Sequence, residues 1–300
     1  MKAIQFKEYG GPEVLQLVDV EEPHAGPGQV RIAVRAAGVN PADYKLRAGY
    51  HREFRPLHLP AGIGAEASGV VDEVGEGVTG VAVGDAVFGK GPSAFAEFAV
   101  LSAWARKPEK MSFEEAAATG SSAETAIRIL NEVGIKAGET LLVSGAAGGV
   151  GSAVVQLARR RGITVIGTAT EPKHDYLRSL GAIPTTYGPG LVERVKALAP
   201  NGVQAAFDIV GSGVIPELIE LTGNPSKVLT ILLSEAKHGT LSSFAEQKDP
   251  GKAMVEAAKA FEEGKFRMRV DRTFPLAKAG EATAVSSERR TMGKLVLVVP

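Results

Sequence analysis

Between Thr140 and Lys173 the spacing of apolar residues changes period, and that change restricts the chain to folds that alternate strand and helix. Thr140-Leu141-Leu142-Val143-Ser144 is a short apolar run of strand character, after which Val150, Val154, Leu157 and Ala158 recur at helical spacing. The turn Gly145-Ala146-Ala147-Gly148-Gly149-Val150-Gly151 lies between them. Gly162 stops the helix, and Ile163-Thr164-Val165-Ile166-Gly167 is the next strand, which makes a βαβ unit. A strand-to-helix turn of this kind gathers unpaired backbone N–H groups and the positive end of a helix dipole at one point, where a pyrophosphate can be held. In the G-x-G-x-x-G pattern Ala146 stands at the first place, while Gly148 and Gly151 fill the second and third. The stretch reads as a dinucleotide site, its glycines letting a phosphate approach the backbone; a tight turn without a ligand is the alternative.

The end of the second strand selects the dinucleotide. A carboxylate there would bond a ribose 2′-hydroxyl and repel a 2′-phosphate. The sequence instead reads Thr168-Ala169-Thr170-Glu171-Pro172-Lys173. Two hydroxyls, Thr168 and Thr170, and the Lys173 ammonium suit a phosphate dianion, so NADPH is expected, with Glu171 pointing outward. A solvated Lys173 at a helix start is the competing reading.

Three hundred residues suggest about two domains. Thirty-four Lys and Arg balance 34 Asp and Glu, which gives no electrostatic sign of a nucleic-acid or anionic-membrane partner and suits a small substrate. The chain has no cysteine, which excludes disulfides, thiolate nucleophiles and cysteine zinc sites. Its five histidines, His24, His51, His58, His174 and His238, lack metal-ligand spacing, so no metal is expected. The N-terminus lacks the apolar core of a signal peptide and no uncharged apolar run reaches bilayer length, from which a cytoplasmic protein is expected.

Residues 1 to about 120 alternate short strands with Gly and Pro turns, as in Lys2–Phe6, Gln29–Val34, Ala67–Glu73 and Ala94–Val100, and read as a β-barrel-like domain. Ser112 and Glu115 form a capping-box pattern ahead of an alanine-rich helix, and Ser121–Leu130 reads as another. Beyond the βαβ unit, Asp175–Leu180 and Leu191–Leu198 read as helices and Gln204–Val210 as a strand. The Gly211-Ser212-Gly213 turn at the end of that strand places Val210 and Gly211 near the ligand. Val228–Leu233 is a further strand, which carries Ile231 and Leu232 as candidate cofactor contacts; Lys252–Phe261 is a helix, and Lys294–Val299 a last strand that returns to the first domain.

Four separated segments together resemble one family over nearly the whole length. They are Tyr9-Gly10-Gly11-Pro12-Glu13-Val14-Leu15, Gly38-Val39-Asn40-Pro41-Ala42-Asp43-Tyr44, Ala146-Ala147-Gly148-Gly149-Val150-Gly151 and Gly293-Lys294-Leu295-Val296-Leu297. The chain resembles the zinc-independent, quinone oxidoreductase or ζ-crystallin-like group of the medium-chain dehydrogenase/reductase superfamily. That resemblance implies an α/β fold: a GroES-like catalytic domain over 1–122, an inserted Rossmann domain with a doubly wound parallel sheet over 123–265, and a return to the catalytic domain over 266–300, with the active site in the cleft between domains and a homodimer as the assembly. Zinc-dependent relatives carry a cysteine ligand within the segment corresponding to Gly38–Asp43 and a histidine in a Gly-His-Glu triplet; this chain has no cysteine and reads Gly64-Ala65-Glu66.

The resemblance places Asn40 beside nicotinamide and substrate, Thr125 near the carboxamide, Gly148, Gly149 and Val150 under the pyrophosphate with Ala147 beside them, and Lys173 with Tyr187 at the 2′-phosphate. Glu124 departs from the small or apolar residue usual in relatives. The implied activity is NADPH-dependent hydride transfer to a quinone or α,β-unsaturated carbonyl, with Asn40, and Tyr44 or Tyr50, bonding the developing oxyanion. The tyrosines are equally readable as packing residues. An enoyl-thioester reductase, or an NADPH-binding sensor with little catalysis, are the rival readings.

Overall fold

A computed structural model of the chain describes residues 1–50, 52–53, 56–232, 239–243 and 249–300. His51, His238 and Leu233, named above, lie outside the described residues. The chain forms two compact units, one of Met1–Ser121 with Asp249–Pro300 and one of Ser122–Lys248.

The first unit opens with β1 (Lys2–Phe6), β2 (Gln16–Asp19), β3 (Val30–Val39), the short helix α1 (Pro41–Arg47), β4 (Ala61–Gly62), β5 (Glu66–Val74), β6 (Ala86–Lys90), β7 (Phe98–Leu101) and β8 (Ala103–Arg106). β1 lies between β2 and β4 in a three-stranded sheet, and the larger sheet is organised on β3. On β3 the buried residues Val30, Ile32 and Val34 alternate with more exposed ones, the period of a strand with one face in the core. Those three pack with Ile4, Phe6, Phe95 and Leu101.

α2 (Phe113–Val133) is one continuous helix, where the sequence suggested two separated near Gly120. Ser112 caps it, its hydroxyl accepting the Glu115 N–H at 3.1 Å. Gly120 is tolerated because a Cβ there would stand 3.1 Å from the Glu66 carboxylate, so the small residue admits that carboxylate to the helix. The division between units falls within α2, after Ser121.

The second unit continues with β9 (Thr140–Ser144), α3 (Gly149–Arg160), β10 (Thr164–Thr168), α4 (His174–Leu180), β11 (Ile183–Thr185), α5 (Leu191–Leu198), β12 (Ala205–Asp208), α6 (Ile215–Thr222), β13 (Val228–Thr230) and β14 (Leu241–Ser242). Its strands are parallel and ordered β11-β10-β9-β12-β13-β14. Counted from β9, that is the doubly wound order 3-2-1-4-5-6, with the topological switch between β9 and β12. β9 reads Leu141-Leu142-Val143, all fully buried, as a strand covered on both faces must. Gly181, in the left-handed region, ends α4.

The chain returns to the first unit at Asp249, before the residue 266 expected from the sequence. The reason is α7 (Pro250–Glu262), whose Met254 and Phe261 are buried with Phe88, Ala103, Ala105 and Met111 of the first unit. Burial of two such side chains is worth about 2 kcal/mol each, enough to decide where an amphipathic helix docks. β15 (Val270–Pro275), α8 (Ala279–Ser287) and β16 (Lys294–Val298) complete this unit, with β16 paired between β15 and β3.

Candidate functional site

The turn after β9 has the geometry of a phosphate cradle. Gly145 has φ of 85° and is held by a hydrogen bond from its N–H to the Thr168 hydroxyl at 3.3 Å. Ala146 donates its N–H to the Thr168 carbonyl at 3.2 Å. Its methyl lies over Gly167, where an added Cβ would come within 2.6 Å, so the alanine at the first fingerprint place is matched by a glycine on the next strand. A Cβ on Gly151 would overlap the Gly145 carbonyl and stand 2.7 Å from Ala146 Cα, so helix and turn close on each other only through glycine. Gly148, the N-cap of α3, is different: a Cβ there would meet nothing nearer than 3.7 Å. Gly148 stands at the start of a helix whose first N–H groups have no intrahelical partner. Gly148, Gly149 and Val150 are partly exposed there, whereas Ala147 is buried.

The topology brings the other strand ends to this turn. A Cβ on Gly145 would collide with Val210, so the loop after β12 lies directly against the turn after β9. Asp208 Oδ1 fixes that loop by accepting the N–H groups of Val210 at 3.1 Å and Gly211 at 3.0 Å. Ile231 and Leu232 follow β13, which pairs with β12 through Asp208 and Thr230, and Leu232 donates its N–H to the Thr230 hydroxyl at 3.1 Å.

At the outer side, Thr168 of β10 pairs in register with Thr185 of β11. The segment carrying Thr170 and Lys173 and the segment carrying Tyr187 therefore leave adjacent strand ends. Thr170 and Glu171 are exposed, Lys173 is half-buried and Tyr187 is 56% exposed. Thr168 is buried, with its hydroxyl turned to Gly145 rather than outward, so the polar groups presented at the strand end are those of Thr170 and Lys173. The sequence reading missed Arg194, whose guanidinium bonds the carbonyls of Thr186 at 3.0 Å and Pro189 at 2.8 Å and so shapes the loop that carries Tyr187. Nothing in the local pattern distinguishes this arginine from a solvated one.

Thr125 is half-buried on α2, and its hydroxyl lies 3.5 Å from Glu124 Oε2. The unusual Glu124 has a physical account. It is buried and pairs at 2.9 Å with Arg128 one turn on, and Arg128 in turn reaches Ser243 after β14.

The first unit holds a buried polar cluster of its own, assembled by strand register. Val39, the last residue of β3, pairs with Leu295, the second of β16, and Ala37 pairs with Ala67, the second of β5. The antiparallel arrangement thus puts Asn40, Lys294 and Glu66 at one end of three neighbouring strands. Lys294 Nζ donates to Asn40 Oδ1 and to Glu66 Oε1, both at 2.6 Å, and Asn40 Nδ2 donates to Glu66 Oε1 at 2.8 Å. Glu66 Oε2 accepts the Ser121 N–H at 2.6 Å. The Lys294 and Glu66 side chains are only 5% and 1% exposed, so each charge depends on the other. Gly38 makes room for the carboxylate, since a Cβ there would overlap it and the Ala117 carbonyl.

Asp43, in the first turn of α1, accepts the Asn40 N–H at 2.6 Å. Burial pushes its carboxyl up to about 7, against the lowering effects of the Asn40 hydrogen bond and the Lys294 charge. Tyr44 is buried and meets the exposed Tyr50 edge-on, with ring centroids 6.4 Å apart. In the sequence Lys294 and Glu66 stand in Gly293-Lys294-Leu295 and Gly64-Ala65-Glu66, and neither segment marks them as partners of Asn40. Among the described residues no group of three or more His, Cys, Asp or Glu is placed to hold a metal. The donor set at this point, an amide and a carboxylate already bound to an ammonium, does not fit zinc.

Two family profiles match the chain: "Alcohol dehydrogenase GroES-like domain" over residues 26–127 and "Zinc-binding dehydrogenase" over residues 186–297. A quinone oxidoreductase of Pseudomonas aeruginosa is 34% identical, covering 99% of this chain and 99% of its own length. The chain belongs to the quinone oxidoreductase, ζ-crystallin-like group of the medium-chain dehydrogenase/reductase superfamily. Members of that superfamily pair a GroES-like domain with a parallel-sheet Rossmann domain, and the two units of this quinone oxidoreductase relative are those domains. As a member of the group the chain is an oxidoreductase. Among solved structures, a mycobacterial protein complexed with NADPH is 30% identical with a TM-score of 0.87, covering 99% of this chain and 100% of that one. The CurK enoyl reductase is 25% identical with a TM-score of 0.89, covering 100% of this chain and 99% of that one.

Proposed function

We propose that this oxidoreductase uses NADPH to reduce a quinone or an α,β-unsaturated carbonyl without a metal. The observation that carries the reading is the pairing of an open phosphate cradle at Gly148 with a strand end that offers Thr170 and Lys173 and no inward carboxylate. The complex of a similar mycobacterial protein with NADPH supports it. We assign cofactor binding to the Ser122–Lys248 unit and acceptor binding to the other.

The turn residues Ala147, Gly148, Gly149 and Val150 hold the pyrophosphate with backbone N–H groups, and Val210, Gly211, Ile231 and Leu232 form the edge beyond it. Lys173, Thr170 and Tyr187 receive the 2′-phosphate, and Thr125 the carboxamide. When bound, NADPH supplies a hydride. A quinone or enone is electrophilic enough to accept it without a Lewis acid, and solvent supplies the proton that completes reduction. Asn40 donates an N–H to the acceptor oxygen as negative charge grows on it, the role in which fixed donors are most effective. Tyr44 and Tyr50, in edge-on contact with each other, are the further candidates to bond that oxygen or to pack against the acceptor.

Deuteride transfer tests the reading. With NADPH labelled at nicotinamide C4 and an enone acceptor, the product should carry one deuterium at its β-carbon; label found only in solvent would overturn it. The CurK neighbour favours a second reading, enoyl-thioester reduction, which predicts faster turnover of a thioester than of the free enone in the same assay. We also propose a cytoplasmic homodimer, supported by the two outer strands of the parallel sheet, β11 and β14; light scattering that shows a monomer at micromolar concentration would refute the dimer.

A further inference from the structure

We propose that Lys294 is a positioning residue of the reduction site: seated on Glu66, its ammonium fixes the Asn40 amide with the carbonyl turned inward and one N–H left for the acceptor. The inference rests on the reading of Asn40 as the donor to the acceptor oxygen.

Hydrogen-bond chemistry forces the orientation. An ammonium only donates and a carboxylate only accepts. The Asn40 atom 2.6 Å from Lys294 Nζ must therefore be Oδ1, and the atom 2.8 Å from Glu66 Oε1 must be Nδ2. A flipped amide would set N–H against ammonium and carbonyl against carboxylate, two repulsions in a site where both charged side chains are almost wholly buried. One N–H of the Asn40 amide is spent on Glu66. The other has only a 3.5 Å approach to the Gly38 carbonyl, at the limit of a hydrogen bond, so it is the donor left for a ligand.

The backbone is fixed as well, because the Asn40 N–H is held by Asp43 and the residue follows directly on β3. Glu66 is anchored independently through Ser121. Every group that touches the Asn40 side chain is thus itself held, which is the arrangement a preorganised donor needs. Lys294 and Glu66 each distinguish the two ends of the amide by charge, and Lys294, from a strand 254 positions away in sequence, is the one that holds the carbonyl end.

The test is steady-state NADPH oxidation by the full chain with benzoquinone, combined with NADPH binding by fluorescence. Asn40→Ala should lower kcat about 100-fold, the scale of a lost oxyanion donor. Lys294→Met should lower kcat about tenfold with NADPH affinity within about twofold of wild type, and Lys294→Arg, also a pure donor, should recover most of the loss. Because Lys294→Met leaves Glu66 buried without its counter-charge, Lys294→Met with Glu66→Gln provides a second variant with both charges removed, for which the same loss is expected. Adding Asn40→Ala to either should cost nothing beyond Asn40→Ala alone. Losses that multiply in the combined variants, or wild-type kcat in both Lys294→Met variants, would overturn the role of Lys294. Wild-type kcat in Asn40→Ala would instead overturn the reading of Asn40, and the inference with it.

Discussion

Asp43 shows how a single buried carboxyl shapes the behaviour of this protein. Its pKa is near 7 in the folded chain against an ordinary 3.8, so the folded state binds a proton that the unfolded state releases. The corresponding stability is complete below about pH 4 and is lost as pH rises through about 7, amounting to a few kcal/mol at most. Lys294 and Glu66 face the same carboxyl with opposite effects. Asp43→Asn keeps an acceptor for the Asn40 N–H and removes the titration. Thermal melts should therefore show a wild-type Tm that falls between pH 5 and pH 8 and a flatter Asp43→Asn profile; parallel profiles would refute the assignment. At the strand end, Lys173→Ala should raise KM for NADPH about tenfold or more while leaving KM for NADH unchanged, because only the former carries the phosphate charge. Equal effects on both cofactors would show that Lys173 does not meet the 2′-phosphate.

Turns and strands, rather than single groups, set where these residues stand. The β9–α3 turn contains glycines of two kinds. Gly151 is required by packing, since its Cβ would overlap the Gly145 carbonyl, whereas Gly148 borders open space. Gly151→Ala should therefore lower Tm, by the equivalent of about 1–3 kcal/mol, and Gly148→Ala should leave Tm near wild type while weakening NADPH binding. The opposite pattern in melting and fluorescence titration would place the phosphates elsewhere. This turn was legible in sequence because strand, glycines and helix are contiguous and their periods differ. The Asn40–Glu66–Lys294 cluster was not, because its members meet only through the registers of β16, β3 and β5. Register is a property of paired strands, and no stretch of one strand states it.

At the scale of the whole molecule, the same contrast between local and distant information holds. Between Thr140 and Asp208 the elements β9, α3, β10, α4, α5 and β12 could be read to within about two residues, whereas β11 and, beyond them, α6 could not; the α/β class and family followed from motifs spread over the chain. The allegiance of α7 could not be read: its apolar stripe requires a partner but does not name one, and Phe88 and Met111 supply it. Nor did the sequence distinguish Thr168, which holds the turn, from Thr170, which is exposed at its rim. The proposed activity assigns a cradle and a phosphate corner to one unit and an oriented amide to the other. Its most direct test is kcat/KM for NADPH and for NADH with a panel of quinones and enones. We predict turnover of at least one of these acceptor classes with NADPH preferred about tenfold or more; preference for NADH, or no turnover of any acceptor, would contradict the account.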